Sequence, residues 1–251
     1  MAKRKKTIIA GRIRKTVLYT APEPLDGPRT RAEKSRMTTA AQKIMNDKSA
    51  RNRLEMLLAC NFSGRDLFIT LTYRDADLPA KRAEAVRLCR EFIAKLRTAR
   101  KKRGQRLKYI YTTEEKHGEA RLHHHLMISS TEHDIEEIRS LWPYGDVVDV
   151  EYVAAREYDV WAAYMTKEGV QGRPVGAQLW TASKGMDKPV VISEYVPNDT
   201  ALAVPAGCHV IEREEKVTEF GSYCYIKYKV PADYHDQAPA DQQGGRLVSC
   251  L

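Results

Sequence analysis

RLHHHLMIS, residues 121–129, sets three consecutive histidines between apolar residues. On a strand, side chains alternate between faces, so His123 and His125 point one way and His124 the other. Leu122, Leu126, Met127 and Ile128 make this an embedded strand rather than an exposed polar tract. Two neutral imidazoles two residues apart can grip one metal ion and leave positions open for substrate oxygens. The alternative is a plain polar strand surface, and an HxH pair by itself does not decide between them.

Upstream, LKYIYTT (107–113) reads as a second strand, joined to the first through a polar turn around Gly118. The short spacing predicts an antiparallel hairpin. Glu114 and Glu115 stand where the earlier strand gives way to the turn, nine and eight residues before His123. A carboxylate there can reach both imidazoles, and parity does not choose between the two glutamates. Further upstream, LFITLTY (67–73) alternates and is rich in β-formers. Ala85, Leu88, Cys89, Phe92, Ile93 and Leu96 then recur at three- and four-residue steps, which predicts a helix. It runs into RTARKKRGQR, where Arg97, Arg100, Lys101, Lys102, Arg103 and Arg106 carry six positive charges without an acid, and Gly104 is placed to stop it. Thr38–Leu58 shows a further helical pattern.

Downstream, Thr131–Asp134 has the form of a capping box ahead of a short amphipathic helix bearing Ile135, Ile138, Leu141 and Trp142. DVVDVEYV (146–153) predicts another strand, and residues 156–168 a helix with Tyr164 and Lys167 on one face. The order β-α-β-β-α-β-α implies an α+β fold, an antiparallel sheet with helices packed on one face. The expected organisation is a flexible basic arm at 1–30, where Pro22, Pro24 and Pro28 break any helix, and a helical lead-in at 31–65. A catalytic domain at 66–169, a β-rich accessory region at 170–230 and a disordered tail at 231–251 complete it.

Charge is distributed unevenly. Residues 1–106 hold 28 Lys and Arg against 10 Asp and Glu, a charge of +18, while the rest of the chain carries −9. A basic half of this size suits a polyanion, because each neutralised phosphate releases counterions. No apolar run is long enough for a membrane helix, and no secretory signal is visible. The five scattered cysteines form no CxxC pair, which points away from a disulfide framework and toward a reducing cytoplasm. No GxxxxGK phosphate loop occurs, so strand separation would need a motor from elsewhere.

LFITLTY, RLHHHLMIS and AAYMTKE, in that order, resemble the HUH endonuclease superfamily, nearest its rolling-circle replication initiators of plasmids and single-stranded DNA phages. The resemblance spans about residues 66–169 and implies a ferredoxin-like, RRM-like fold. It further implies Mg²⁺ or Mn²⁺ on His123, His125 and an upstream acid, for which Glu114 fits the spacing better than Glu115. Tyr164 would be the nucleophile and Lys167 its cationic partner. The family usually has a hydrophobic residue where His124 stands, which leaves open which two imidazoles bind. Val160 and Glu168 flank Tyr164 at one-turn spacing and Tyr158 faces elsewhere, so a single-tyrosine enzyme is expected.

The expected activity is nicking of single-stranded or hairpin origin DNA in the bacterial cytoplasm. It would leave a 5′-phosphotyrosine and a free 3′-OH for a host polymerase, with a host helicase opening the duplex. Arg97–Arg106 would track phosphates, and Tyr109 or Tyr111 would stack on bases. A non-catalytic DNA- or RNA-binding regulator explains the charge equally well, and a single-tyrosine transposase or relaxase shares the motifs.

Overall fold

The structure is a computed structural model that describes residues 2–21, 40–116, 120–131, 134–145, 148–155, 157–167, 178–219 and 221–234. The chain divides into two compact units, one of residues 1–37 with 188–251 and the other of residues 38–187.

The first unit is a five-stranded antiparallel sheet built from both ends of the chain. Its strands are β1 (Ala2–Ala10), β2 (Ile13–Ala21), β8 (Val190–Val196), β9 (His209–Thr218) and β10 (Gly221–Lys229), in the order β8-β1-β2-β10-β9. The expected flexible arm is therefore a hairpin as far as Ala21. β1 and β2 turn through Gly11, whose φ of 50° suits the left-handed region that glycine enters without strain. Thr7-Ile8-Ile9 and Val17-Leu18-Tyr19-Thr20 are good strand formers. An isolated hairpin is marginal, and here β8 and β10 extend it on both sides. The prolines at 22, 24 and 28, and all of the expected tail beyond residue 234, lie outside the described residues.

The second unit carries the histidine strand. It contains α1 (Ala40–Asn61), β3 (Leu67–Leu71), α2 (Arg82–Lys102), β4 (Tyr109–Lys116), β5 (Ala120–Ile128), α3 (Asp134–Leu141), β6 (Val148–Tyr152), α4 (Tyr158–Met165) and β7 (Thr181–Ala182). All sheet pairings are antiparallel and the order is β6-β3-β5-β4-β7. The α+β class and the β4–β5 hairpin match the sequence pattern.

Both faces of this sheet are covered. Leu67, Ile69 and Leu71 of β3 and Leu122, Leu126 and Ile128 of β5 pack with Ala85, Leu88, Phe92 and Leu96 of α2, Ile138 of α3 and Trp142. The alternate residues Phe68, Ile110 and Met127 pack with Leu54 and Leu58 of α1 and with Trp161, Ala162 and Met165 of α4. The cause is legible in β3, where apolar residues occupy both parities, as a strand buried on two sides requires. Helix α2 stops at Gly104, whose φ of 71° lets the amide of Gln105 reach back to the Arg100 carbonyl at 2.9 Å. Asp134 at the start of α3 accepts from the Thr131 amide at 2.6 Å, as a capping box demands, while Glu132 and His133 lie outside the described residues. Among the described residues no helix is long and apolar enough to cross a membrane.

Candidate metal centre

Register across β3, β5 and β4 places each histidine. His125 pairs with Thr70 on one side and Thr112 on the other, His124 with Leu71 and Thr113, and His123 with Glu114. His123 and His125 consequently emerge on the sheet face covered by α1 and α4, beside Glu114. Their side chains meet there, with His123 Nε2 3.2 Å from His125 Nε2. Glu114 Oε2 lies 3.3 Å from His123 Nε2, and its Oε1 lies 3.6 Å from His125 Nε2. One ligand atom from each of the three residues falls within 4.8 Å of the others.

The far side of each imidazole is also held. His123 Nδ1 donates to the Arg121 carbonyl at 2.8 Å, and His125 Nδ1 lies 3.1 Å from Thr70 Oγ1. Fixing Nδ1 in this way aims Nε2 at the cluster, the arrangement by which outer partners orient a metal-ligating histidine. Glu114 is 4% exposed and its Oε1 has no hydrogen-bond partner among the described residues. A buried carboxylate oxygen of that kind, facing two imidazole nitrogens, fits a divalent cation: the donor set is two nitrogens and a hard oxygen.

Electrostatics agree. Burial opposes ionisation of Glu114, but the imidazoles of His123 and His125 and the Lys167 ammonium outweigh it and hold the carboxyl well below the usual carboxylate range. Burial likewise disfavours the imidazolium of His123, yet Glu114 and the Arg121 carbonyl raise it above its ordinary value. For His125 burial prevails and lowers it.

The register settles the choice between the glutamates geometrically. β4 pairs regularly as far as Glu114, and the ladder shifts between Glu114 and Lys116, so Glu115 falls in the irregular step and is exposed.

His124 does something the sequence did not disclose. It points to the opposite face, is fully buried, and bridges Tyr73 and Thr113. Its Nε2 is 2.7 Å from the Tyr73 hydroxyl and its Nδ1 2.9 Å from Thr113 Oγ1. Burial, with the positive His123, Arg82 and His125 nearby, pushes it down to about 3. It serves as the core residue of its strand, with a polar bridge in place of a hydrophobic contact.

Helix α4 brings Tyr164 and Lys167 to the same place. The Tyr164 ring lies 4.8 Å from the His125 ring and edge-on to Phe68 at 5.7 Å. Lys167 Nζ sits 3.1 Å from Glu114 Oε2 and 3.9 Å from the centre of the Tyr164 ring. Tyr158 is turned away, its hydroxyl donating to the Phe62 carbonyl at 2.5 Å. Thr70 was not singled out from sequence, although alternation along LFITLTY sets it on the face of Phe68 and so toward His125.

The basic run separates into unlike residues. Arg97, Lys101 and Lys102 are exposed. Arg103 is paired with Glu137 at 2.7 Å, and Arg106 donates to the Gly185 carbonyl at 2.5 Å. Arg100 corrects the expectation of a phosphate contact. It is fully buried, 2.6 Å from Asp134 Oδ1 and 3.5 Å from Glu137 Oε2, and donates to the Ser129 carbonyl. Sitting at the same helical phase as Leu96 and Phe92, it faces the core. Tyr111 is likewise buried, with Arg90 donating to its hydroxyl at 3.2 Å, and Tyr109 packs partly against the same core. Neither ring is an open surface for bases.

Residues 66–169, which hold the whole of this site, match a family model described as replication-associated protein ORF2. No curated protein and no solved structure matches the chain.

Proposed function

We propose that the chain is a replication initiator of the HUH type, which nicks single-stranded origin DNA with Tyr164 and rejoins strands by reversing the same step. One observation carries the reading. Glu114, His123 and His125 gather their ligand atoms within 4.8 Å beside Tyr164 and Lys167. They do so inside a stretch similar to replication-associated proteins.

The residues divide the work. Glu114, His123 and His125 would hold a divalent cation such as Mg²⁺ or Mn²⁺. Bound there, the cation draws charge from the non-bridging oxygens of the scissile phosphate. Thr70 and the Arg121 carbonyl keep the two imidazoles in place. Tyr164 attacks phosphorus through its phenol oxygen, forming a Tyr–O–P bond as the P–O3′ bond breaks. The phenol gives up a proton and the departing 3′ oxygen takes one up, so the exchange needs no oxidant and no nucleotide hydrolysis. Lys167, against the Tyr164 ring, stabilises negative charge developing on the phenolate. The 5′-phosphotyrosine keeps the energy of the phosphodiester, and a later 3′-OH reverses the step to close a strand. The free 3′-OH serves a host polymerase. Without a phosphate loop in the sequence, duplex opening falls to a host helicase.

The test is a labelled single-stranded oligonucleotide carrying the origin, incubated with the protein and Mn²⁺ and resolved under denaturing conditions. A covalent adduct should form, disappear in Tyr164→Phe, and disappear with EDTA. An adduct that persists in Tyr164→Phe removes the tyrosine from its role, and cleavage indifferent to EDTA removes the metal.

A further inference from the structure

The sheet formed by the two ends of the chain carries its aromatic residues on one face, and the pairing register aligns them. Tyr195 on β8 lies opposite Arg4 on β1, and Arg4 opposite Tyr19 on β2. Tyr19 lies opposite Tyr223 on β10, and Tyr223 opposite Lys216 on β9. Directly paired residues share a face, so these five side chains form a row crossing all five strands. Lys6 stands on that face one step along, beside Ser193 and Val17. Tyr195 is 53% exposed and Tyr223 37%, with Tyr19 half-buried between them.

Arg4 is already placed as a stacking partner. Its guanidinium lies 5.6 Å from the centre of the Tyr195 ring, with Nε donating to Ser193 Oγ at 2.9 Å. The other face is different in kind. There Lys5 is paired with Glu194 at 3.4 Å, Lys3 donates to the Thr200 carbonyl at 3.3 Å, and Leu18 and Ile226 are buried.

We propose that this row is a stacking platform for single-stranded DNA, separate from the metal centre. Exposed rings in series suit bases of any sequence, because every base has a π-face, and interleaved cations suit the phosphates between them. The charge favours the same occupant. Residues 1–21 contain seven Lys and Arg and no acid, whereas β9 carries Glu212, Glu214 and Glu215. A polyanion is thus drawn toward β1 and β2 and repelled from the β9 edge. The proposal rests on the reading that the partner is DNA and adds a sequence-independent hold on the strand that the metal centre acts upon.

The experiment uses the full chain with Tyr164→Phe, in EDTA, so that neither metal nor cleavage contributes. Fluorescence anisotropy follows a labelled oligothymidylate of about 12 nucleotides, within the span one such surface covers. Tyr195→Ser and Tyr223→Ser should each weaken binding by about fivefold to a hundredfold. Tyr195→Phe and Tyr223→Phe, which keep the ring, should bind like the parent. Arg4→Gln should lower the slope of log affinity against log salt by about one. An abasic oligomer of equal length should bind the parent no better than the thymidylate binds the serine variants. Circular dichroism of the serine variants should match the parent. Unchanged thymidylate binding by folded serine variants overturns the platform, and so does equal binding of the abasic oligomer. Absence of the Mn²⁺-dependent adduct, with ring-dependent binding intact, would count against the nicking activity and support the platform as a site in its own right.

Discussion

Replacing His124 by leucine separates the imidazole that packs the core from the two that face the metal centre. The side chain is fully buried, and its ring nitrogens meet the Tyr73 hydroxyl at 2.7 Å and Thr113 Oγ1 at 2.9 Å. Leucine fills the volume but withdraws the imidazole from both hydroxyls. A buried polar group that loses its partner costs about 1–3 kcal/mol. Tyr73 keeps a long contact to the Ala85 carbonyl at 3.4 Å, which sets its share toward the lower end. The expected loss is about 2–4 kcal/mol. For a unit of this size that corresponds to a fall of roughly 4–16 °C in melting temperature. Trp142, Trp161 and Trp180 all lie within residues 38–187, so tryptophan fluorescence follows that unit's melting.

Mn²⁺ binding, read by titration calorimetry, should survive in His124→Leu, because Glu114, His123 and His125 occupy the other face. His124 also contributes a pH dependence whose sign is fixed. Its folded value of about 3 lies below the ordinary 6.5, so the unfolded chain binds the extra proton between those values. Stability is unaffected above that window and declines as pH falls through it, by about 1.4 kcal/mol per pH unit. Leucine carries no such penalty, so in EDTA the gap between parent and variant should narrow from about pH 7 to about pH 5. Loss of Mn²⁺ binding as complete as in His125→Ala would refute the assignment of His124 to the core. An unchanged melting temperature would refute the bridge.

Arg100→Met strands Asp134 and Glu137 without their buried cation, a loss of about 3–5 kcal/mol that should lower melting by roughly 6–20 °C. The exposed neighbour in Lys101→Gln should leave stability within about 0.5 kcal/mol and reduce the salt slope of DNA binding by about one. Equal melting of the two variants would return Arg100 to the surface. Glu114→Gln should abolish Mn²⁺ binding and Glu115→Gln should preserve it, both measured by calorimetry. The reverse pair of results would move the carboxylate ligand to the neighbouring position.

Much of the site was legible in the sequence because alternation is a local property. Given that RLHHHLMIS is a strand, backbone geometry alone separates His124 from His123 and His125. The three- and four-residue rhythm from Ala85 to Leu96 located α2 for the same reason. Glu114 and Glu115 were not separable, because parity fails where a strand enters a turn. The shift of register before Lys116 is a property of the pairing between two strands. Arg100 was misread as one cation in a basic run. Its helical phase pointed inward, but only Asp134 and Glu137, brought from α3, make burial of that charge tolerable.

The N-terminal segment marks the boundary most clearly. AKRKKTIIA reads locally as a charged arm, and its strand-forming residues cannot by themselves offset the entropy of ordering it. Its partner β8 begins at Val190 and β10 at Gly221, so the sheet exists only when the two ends of the chain meet. By itself the sequence determined which side chains can share a face within one strand or helix, since that follows from backbone geometry. The tertiary structure decided which faces meet: the bridge from His124 to Tyr73, the approach of Lys167 to Glu114, and the alignment of Tyr195, Arg4, Tyr19 and Tyr223. Those contacts depend on pairings between residues far apart in the chain, which no local pattern encodes.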